Sequence, residues 1–390
     1  MTDTSASPAV PIAACPYCGR EVPVANFCGA CGAHLVHETV RAARRHHAYA
    51  AFPEEPVLRL AVTSSLFPHL SHRAKVVFRT AVGLIVVALI GLALGGVEAP
   101  AIAVSALGLP VLYLLYVYEV DDPTRASLFR AVPPVLILGV GLGIGWGLIA
   151  GHYVNEALAP TLDTSLVRPA ALAAALAVPA IALVLMAVPV VVVRARRGRL
   201  DESLDGFVLG AVGALAFTAA ATITQLSSLF SVGQFSDQSF VGILTQVGIR
   251  GLCSPIMAAA LIGLFGASIW VSLRDDHPAG ARWLGAPASA LVSVLVLETG
   301  VGFADIARLS DAQLLVCHVS AVVVSLAAMR LGLHYVLLHE AGPSEVGAPS
   351  VCGHCHFVVP TMHFCPHCGV ARRATARSHR PQPALALEEP

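Results

Sequence analysis

Charged side chains are scarce in this sequence. They make up 12% of the 390 residues, whereas 56% of the residues are hydrophobic. An ordinary globular domain carries about 25% charged residues, so a water-soluble fold of this length could not cover itself with polar groups. The chain contains a single lysine, Lys75, and its mean hydropathy is +0.75. These values predict a bundle of helices surrounded by lipid.

The sequence also lacks an excess of charge of either sign. Its 24 basic and 24 acidic residues balance, so the net charge favours neither nucleic acid nor an acidic substrate. Residues 1–14 contain no basic stretch that leads into a short apolar run. We therefore predict no cleavable signal peptide and expect the membrane spans to direct insertion.

Cysteine is concentrated at the two ends of the chain. Eight of the ten cysteines form two groups with one spacing, C-x2-C, nine residues, C-x2-C: Cys15, Cys18, Cys28 and Cys31, and Cys352, Cys355, Cys365 and Cys368. Two such knuckles supply four thiolates to one tetrahedral zinc ion and leave no open position. The spacing predicts two structural zinc ions. Disulfide-stapled tails are the alternative, but metal spacing argues for a reducing compartment.

The residue after each knuckle carries a second signal. Gly19, Gly32 and Gly369 directly follow the second cysteine of a knuckle, and His356 takes this place in the remaining one. A left-handed turn there would aim backbone N–H groups at the sulfur atoms. We therefore expect this conformation at the three glycines, and His356 is a small departure from the pattern.

Eight hydrophobic segments have the length of a membrane span, which is about 20 residues. They are Val77–Gly96, Pro100–Tyr118, Ala131–His152, Ala170–Val193, Gly206–Ser227, Val247–Val271, Leu284–Phe303 and Ala312–Leu333. An even number of spans places both termini on one side of the membrane. Most of the basic residues fall on that side, so the positive-inside rule predicts cytoplasmic termini.

The sequence predicts an all-α polytopic membrane protein of about eight transmembrane helices, with two small zinc-ribbon modules at its termini. The predicted parts are an N-terminal ribbon (1–36), a juxtamembrane linker (37–75), the membrane domain (76–334), a second linker (335–350), a C-terminal ribbon (351–371) and a disordered tail (372–390). The first linker holds either a helix on the inner membrane face or a plain solvated segment.

The third span carries a ridge of small residues. Gly139, Gly143, Gly147 and Gly151 follow one another at intervals of four, on one helix face. Such a ridge lets a neighbouring backbone approach closely, so we expect a packing role. A sliding or gating helix is the alternative.

Three ionisable residues lie within the spans at a similar depth. Arg250, Glu298 and His318 are each placed in the outer third of the bilayer by a rise of about 1.5 Å per residue. A satisfied ion pair, or Arg250 extending to the outer interface, is the structural explanation. The functional alternative is a small polar cavity, open outward, for a ligand, a proton or a metal.

Two segments resemble a known family. Residues 201–225 read DESLDGFVLGAVGALAFTAAATITQ, and residues 250–266 read RGLCSPIMAAALIGLFG. An acidic Asp-Gly turn that leads into a Gly-rich helix, followed by a helix that ends in glycine, resembles the PrsW-type intramembrane protease family. The resemblance covers roughly residues 170–270. Terminal zinc ribbons on such a core resemble the actinobacterial members.

The resemblance also implies where this chain departs from the family. The family's chemistry is expected to rest on paired glutamates with a following lysine, on a Phe-x3-Glu glutamate and on a later histidine. The paired glutamates and the lysine fall near Ala182, Leu183 and Met186, the Phe-x3-Glu glutamate at Ala221, and the histidine at Ala258. Alanine neither binds a metal nor exchanges a proton. The sequence has no HExxH motif or nucleophile elbow in their place.

The sequence therefore predicts a non-catalytic, PrsW-like protein of the bacterial inner membrane that acts as a binding or regulatory scaffold. Its expected partners are the lipid bilayer and a protein that binds the ribbons. Few lysines or stacking aromatics accompany the knuckles, which disfavours nucleic acid. Two alternatives stay open: an active metalloprotease with Glu298, His318 and Cys253 as relocated ligands, and a small-solute transporter or channel.

Overall fold

The computed structural model describes fourteen segments of the chain. These are residues 11–36, 48–59, 61–68, 72–120, 127–158, 169–196, 200, 202–232, 240–271, 292, 295–304, 309–340, 345–377 and 380. Helices dominate the described residues, and the strands form three two-stranded antiparallel sheets.

The strands are β1 (Ile12–Ala14), β2 (Glu21–Pro23), β3 (Ala48–Tyr49), β4 (Phe52–Pro56), β5 (Gly347–Val351) and β6 (Val358–Thr361). The helices are α1 (Val62–Leu66), α2 (His72–Leu94), α3 (Glu98–Val120), α4 (Ser127–Leu158), α5 (Pro169–Arg196), α6 (Ser203–Val232), α7 (Phe240–Gln246), α8 (Ser254–Trp270), α9 (Leu295–Ala304) and α10 (Asp311–His339). A π-helical turn, Val247–Cys253, joins α7 to α8.

Seven described segments are long and apolar enough to cross a membrane, and α9 is a shorter apolar helix. This confirms the predicted fold class of a polytopic helical protein with small modules near both termini. Half of the predicted seventh span, 284–303, lies outside the described residues, which include residue 292 and the part of the span in α9.

Helix α6 is the centre of the bundle, and 78% of its spanning window is buried. It packs against α3, α4, α5 and α8. Small residues allow the closest of these contacts. A β-carbon at Gly206 would lie 2.4 Å from the carbonyl oxygen of Gly266, and one at Gly210 would lie 2.3 Å from that of Ile262. Any larger side chain at Gly206 or Gly210 would force α6 and α8 apart.

The predicted glycine ridge packs against α6. β-Carbons at Gly139, Gly143 and Gly147 would lie 2.4–2.9 Å from backbone carbonyl oxygens of α6. The packing role predicted for the ridge is confirmed for these three glycines. The surroundings of Gly151, the fourth member, lie outside the described residues.

The close contacts also give the direction of the helices. Gly139 and Gly147 of α4 meet Gly213 and Ala221 of α6, so these two helices run parallel. The contacts of Gly206 and Gly210 make α8 antiparallel to α6.

Helix α10 runs parallel to the π-turn and α8. Gly248 contacts Leu315, and further along both helices Leu264 contacts Gly332. Helices α8 and α10 therefore end at the same end of the bundle, where α6 begins. We call this the ribbon end. Trp270 therefore lies at the ribbon end and Asp311 at the opposite end, and α9 is the described helix between them in sequence.

The linker before the first span is folded where it is described. Strands β3 and β4 form a hairpin that is followed by α1. Tyr49, Leu66 and Phe67 are buried in the main hydrophobic core. The described part of the predicted linker thus contains a hairpin, a single helical turn and the first residues of α2, and residues 37–47, 60 and 69–71 lie outside it.

Candidate metal centres

The four thiols of each terminal group converge on one point. All four sulfur atoms of a group lie within 4.8 Å of one another. The Sγ atoms of Cys15 and Cys31 are 3.9 Å apart, as are those of Cys18 and Cys28. A tetrahedron with Zn–S bonds of about 2.3 Å has edges of about 3.8 Å. The N-terminal group therefore fits a tetrahedral ion.

The C-terminal group has the same geometry. Its closest sulfur pairs are Cys352 with Cys368, at 3.9 Å, and Cys355 with Cys365, at 3.8 Å. All ten cysteines are free thiols, and a disulfide would require about 2.05 Å between sulfur atoms. Disulfide-stapled tails are thus absent, and each group offers four thiol ligands with no place for a fifth protein ligand.

The knuckles adopt the predicted left-handed turn. Gly19, Gly32 and Gly369 have φ angles of 71°, 73° and 76°, and His356 has a φ of 61°. His356 is the one non-glycine residue with positive φ among the described residues. The backbone of His356 therefore adopts a left-handed conformation that is strained for a residue with a side chain but not for glycine. The turn geometry is thus retained in the knuckle that lacks glycine.

Neighbouring N–H and S–H groups polarise the sulfur atoms. Backbone N–H groups of Tyr17 and Cys31 donate to the sulfurs of Cys15 and Cys28 at 3.5 and 3.4 Å. The hydrogen bond between the two thiols lowers the pKa of Cys28 to about 5, against the opposing effect of burial, and raises the pKa of Cys31. Thiolate is the form that binds zinc, so the backbone N–H contacts are the ones that favour metal binding.

The two ribbons pair with each other through matching positions. The backbone N–H of Phe27 donates to the carbonyl of Pro366, and that of Phe364 donates to the carbonyl of Gly29, both at 2.9 Å. Each phenylalanine directly precedes the third cysteine of its own group. The two bonds are therefore related by an approximate two-fold axis between the ribbons.

The same symmetry relates the ring contacts. The Phe27 ring covers Gly369, where a β-carbon would lie 2.6 Å from Cδ1, and the Phe364 ring covers Gly32 at 3.0 Å. Each glycine is thus required twice, for its left-handed φ and for the ring above it. Sequence analysis missed this pairing, although a Phe-Cys pair at equal positions in both groups was a visible signal.

The C-terminal ribbon binds the membrane domain directly. The backbone N–H of Ala371 donates to the carbonyl of Ala50 in the β3–β4 turn, at 2.8 Å. The buried His363 ring places Nε2 3.1 Å from the carbonyl oxygen of Leu337, in the last turn of α10. Phe364, Ala371 and two later alanines belong to the main hydrophobic core.

Three arginines beyond this ribbon reach acidic groups at the ribbon end. Arg373 pairs with Glu340 at 3.0 Å, and Arg377 pairs with Asp205. Arg380 donates two hydrogen bonds to the carboxylate of Glu202, at 2.7 and 2.9 Å. The tail expected to be disordered from residue 372 is therefore ordered through residue 377 and at residue 380, because these ion pairs hold it. Residues 378–379 and 381–390 lie outside the description.

Glu340 joins three parts of the chain. It is completely buried, and its carboxylate accepts hydrogen bonds from the backbone N–H and hydroxyl of Ser203, at 2.8 and 2.9 Å. It thus links the end of α10 to the start of α6 and to Arg373. Burial raises the pKa of Glu340, against the effects of Ser203 and Arg373. Burial acts in the same sense on Glu202, but the hydrogen bond and charge of Arg380 outweigh it and lower the pKa of Glu202.

A buried arginine supports the linker hairpin. Arg330 of α10 has no exposed surface. It donates to the carbonyls of Val57 and Pro56, at 2.7 and 3.2 Å, and lies 3.6 Å from Glu55. Its guanidinium also lies 4.3 Å from the centre of the Tyr49 ring. An arginine inside a predicted span was the signal for this contact, which sequence analysis missed.

The structure brings together only part of the polar site that the sequence predicts within the spans. The contacts of α10 with the π-turn bring His318 to about the level of Arg250. His318 is buried, with Nδ1 3.0 Å from the carbonyl oxygen of Leu314, whereas Arg250 is exposed and Glu298 half-buried. Among the described residues, only the two cysteine groups bring three or more potential ligands together. A shared site for Arg250, Glu298 and His318 stays a prediction.

Ala221 and Ala258, at the positions inferred for family ligands, are both buried. Continued along α8, the antiparallel register set by the Gly206–Gly266 and Gly210–Ile262 contacts brings Ala258 level with Ala214, which lies seven residues before Ala221 on α6. The two alanines therefore differ in depth by about two helical turns, or roughly 10 Å. The helix packing does not bring them face to face.

Comparison with known proteins gives one match. A family model described as "PrsW family intramembrane metalloprotease" matches residues 132–329, which is half of the chain and includes all of α6 and α8. No curated protein and no solved structure matches the chain. Residues 170–270, which carry the resemblance seen in the sequence, lie within the matched range.

Proposed function

Because the chain belongs to the PrsW family of intramembrane metalloproteases, we propose that it is a non-catalytic member that acts as a scaffold in the bacterial inner membrane. In this proposal both termini are cytoplasmic, and the paired ribbons bind a protein partner. The observation that carries it is the attachment of the ribbon pair to the ends of α6 and α10, through Glu340, Asp205 and Glu202.

Zinc is the metal that we propose for both cysteine groups. Four thiols with edges of 3.8–3.9 Å fit its tetrahedral coordination. When bound, zinc would cross-link the two knuckles of a ribbon and add folding free energy, without a position for substrate. The fit supports a structural role, and reduced thiols suit the cytoplasm.

The non-catalytic assignment is supported by residue chemistry. The positions inferred for the family's glutamate and histidine hold Ala221 and Ala258, which can neither bind a metal nor transfer a proton. The glycine contacts of α6 with α4 and α8 bring backbones into direct contact around this part of the core. A metal with its attacking water would need space there.

The ribbons offer apolar surface to a partner. Val351, Phe357 and Val358 of the C-terminal ribbon are 47%, 55% and 70% exposed. Apolar side chains on a rigid hairpin are typical of a protein-binding surface. A photo-crosslinker at position 358 is expected to form a protein adduct of defined mass in cells, and one at the lipid-facing Leu84 is the control. The partner assignment is wrong if position 358 gives no adduct beyond that control.

Metal analysis and a cleavage assay test the assignment as a non-catalytic protein. The purified full-length chain is expected to contain two zinc ions, and to leave single-span membrane proteins intact when it is reconstituted with them in liposomes. A third metal ion, with chelator-sensitive cleavage that Glu298→Gln abolishes, would establish the relocated protease instead. Solute flux into liposomes that requires Glu298 would establish a transporter.

A further inference from the structure

A cavity of about 360 Å³ opens between α1 and the first turns of α2. Four of its lining side chains are apolar: Phe52, Phe67, Phe78 and Val82. The other three, Thr63, Ser64 and Arg79, are polar or charged. The cavity therefore has an apolar wall and a polar, cationic part.

The depth of this cavity is that of the membrane interface. The apolar span of α2 begins at Val76, so Arg79 lies in its first turn and Val82 about one turn deeper. Beyond the cavity, Leu84 and Val87 of α2 are 72% and 69% exposed. Only 6% of the spanning window of α2 is buried. The apolar wall thus continues into a helix surface that faces lipid.

Among the side chains that the structure describes around the cavity, which do not include that of Glu54, positive charge predominates. The hydroxyl of Ser64 donates to Glu55 at 2.8 Å and accepts from the buried Arg330 at 3.0 Å. Arg59 lies 4.0 Å from the same Glu55 carboxylate. Arg59 and Arg330 already outnumber this one acidic group, and the exposed Arg79 adds a further positive charge at the cavity wall. An anionic group is therefore the complementary ligand.

We propose that this cavity binds an anionic phospholipid. The lipid phosphate contacts the Arg79 guanidinium and the Thr63 hydroxyl, and the first methylene groups of an acyl chain pack on Phe78 and Val82. A free phosphate would use only the polar part. The continuous apolar wall selects a lipid, because it can cover the hydrocarbon that adjoins the headgroup.

The test uses the full-length protein in nanodiscs of phosphatidylcholine with or without phosphatidylglycerol. Thermal unfolding and the amount of co-purified phosphatidylglycerol are measured. Arg79→Gln is expected to reduce the apparent affinity for phosphatidylglycerol about fivefold, the effect of one basic residue at an anionic surface. Val82→Trp, which fills the apolar part and keeps the charge, is expected to weaken it as well.

Arg196→Gln is the matched control. Arg196 is exposed at the end of α5, where Arg194 contacts the last turn of α8 at the ribbon end. Its replacement should leave phosphatidylglycerol binding unchanged, and the zinc content of each variant reports on folding. Equal lipid binding by the wild type, Arg79→Gln and Val82→Trp would overturn the proposal. So would stabilisation by inorganic phosphate alone that matches the effect of the lipid.

Discussion

The two zinc ribbons share one cysteine spacing but differ in what holds them. The buried cluster of the N-terminal ribbon takes in a single residue from elsewhere, Met362 of the other ribbon. The C-terminal ribbon instead contributes Phe364 and Ala371 to the main core, and the following tail contributes Ala374. Its tail adds the ion pairs to the ends of α6 and α10. The described contacts make the C-terminal ribbon the anchor and the N-terminal ribbon its dependent partner.

Two metal sites with the same ligands can therefore differ in how much of the surrounding structure depends on them. A zinc site folds its own ribbon, whereas the surrounding contacts decide what else depends on that ribbon. Loss of the anchor should release both ribbons, and loss of the dependent one should leave the anchor in place. Each prediction below tests this asymmetry.

The largest effect is expected from the metal sites. Cys365→Ser removes a ligand of the C-terminal ribbon, and Cys28→Ser is the matched change in the N-terminal one. Structural zinc contributes roughly 10–16 kcal/mol of binding free energy in small ribbons, so each change should unfold its own ribbon. In Cys365→Ser, limited proteolysis is expected to release residues 345–380 and to expose the N-terminal ribbon to cleavage. In Cys28→Ser, it is expected to cut only the N-terminal ribbon. Identical cleavage patterns would contradict the asymmetry.

The next largest effect is expected at the β3–β4 hairpin, which binds the C-terminal ribbon. Arg330→Met removes the cation that holds the β3–β4 hairpin, and the hairpin carbonyl of Ala50 binds the C-terminal ribbon. The substitution leaves the Glu55 carboxylate buried beside Ser64 without the Arg330 guanidinium, so we expect the free energy of unfolding to fall by about 3–5 kcal/mol.

The double variant Arg330→Met with Glu55→Gln tests whether this loss comes from the uncompensated carboxylate. We expect it to recover part of the lost stability. Urea unfolding, followed by hydrogen exchange of residues 48–66, measures both variants. Full stability of the single variant would show that the hairpin does not depend on Arg330.

The paired phenylalanines give a direct comparison within the ribbon interface. Phe364 is 1% exposed and belongs to the main core, whereas Phe27 is half-buried. Phe364→Ala should cost about 3–5 kcal/mol through the cavity that it leaves. Phe27→Ala should cost about 1–2 kcal/mol, because it loses less buried area. The rate of hydrogen exchange in the C-terminal ribbon should rise in Phe364→Ala but not in Phe27→Ala. A rise of equal size in both variants would contradict the distinction between the anchoring and the dependent ribbon.

These contacts mark the limit of what the sequence could predict. The C-x2-C spacing and the left-handed turns are local, so they could be read correctly for both ribbons, and hydrophobic runs gave the described spans. The pairing of Phe27 with Phe364 joins residues at opposite ends of the chain, and no local pattern specifies such a contact. Arg330 falls within the predicted last span, but its partners Glu55, Pro56 and Val57 lie more than 270 residues earlier in the chain, so no local pattern specifies this contact either.

The tail shows the same limit. Its composition predicted disorder from residue 372 because the segment is polar and contains few large apolar residues. Its order comes from acidic partners far away in sequence, Glu202, Asp205 and Glu340. Such pairing becomes visible only when the fold brings the start of α6 beside the C-terminal ribbon.

The smallest effect is expected from titration of this acidic cluster. Since the pKa of Glu202 in the folded protein lies below its ordinary value of 4.5, its contribution to tail docking is complete above that value and is lost as the pH falls through the folded pKa. Glu202→Gln should weaken docking by less than about 2 kcal/mol at neutral pH. The substitution should also remove the pH dependence of tail docking that comes from protonation of Glu202. Glu340, whose pKa is raised by burial, contributes in the opposite sense, since its share is complete below 4.5 and is lost as the pH rises through its folded pKa.

Hydrogen exchange of the amides of residues 372–377 measures this effect, with wild type and Glu202→Gln compared at each pH so that acid release of zinc affects both alike. The difference between the two proteins should begin to shrink as the pH falls below about 4.5 and should reach zero below the folded pKa of Glu202, where both carry a neutral side chain at position 202. A difference that stays constant down to pH 3 would mean that the Arg380 contact does not depend on the carboxylate charge. The anchoring of the C-terminal ribbon would then rest on its apolar contacts and on Glu340, and the two ribbons would differ less in their electrostatics than in the surface that they bury.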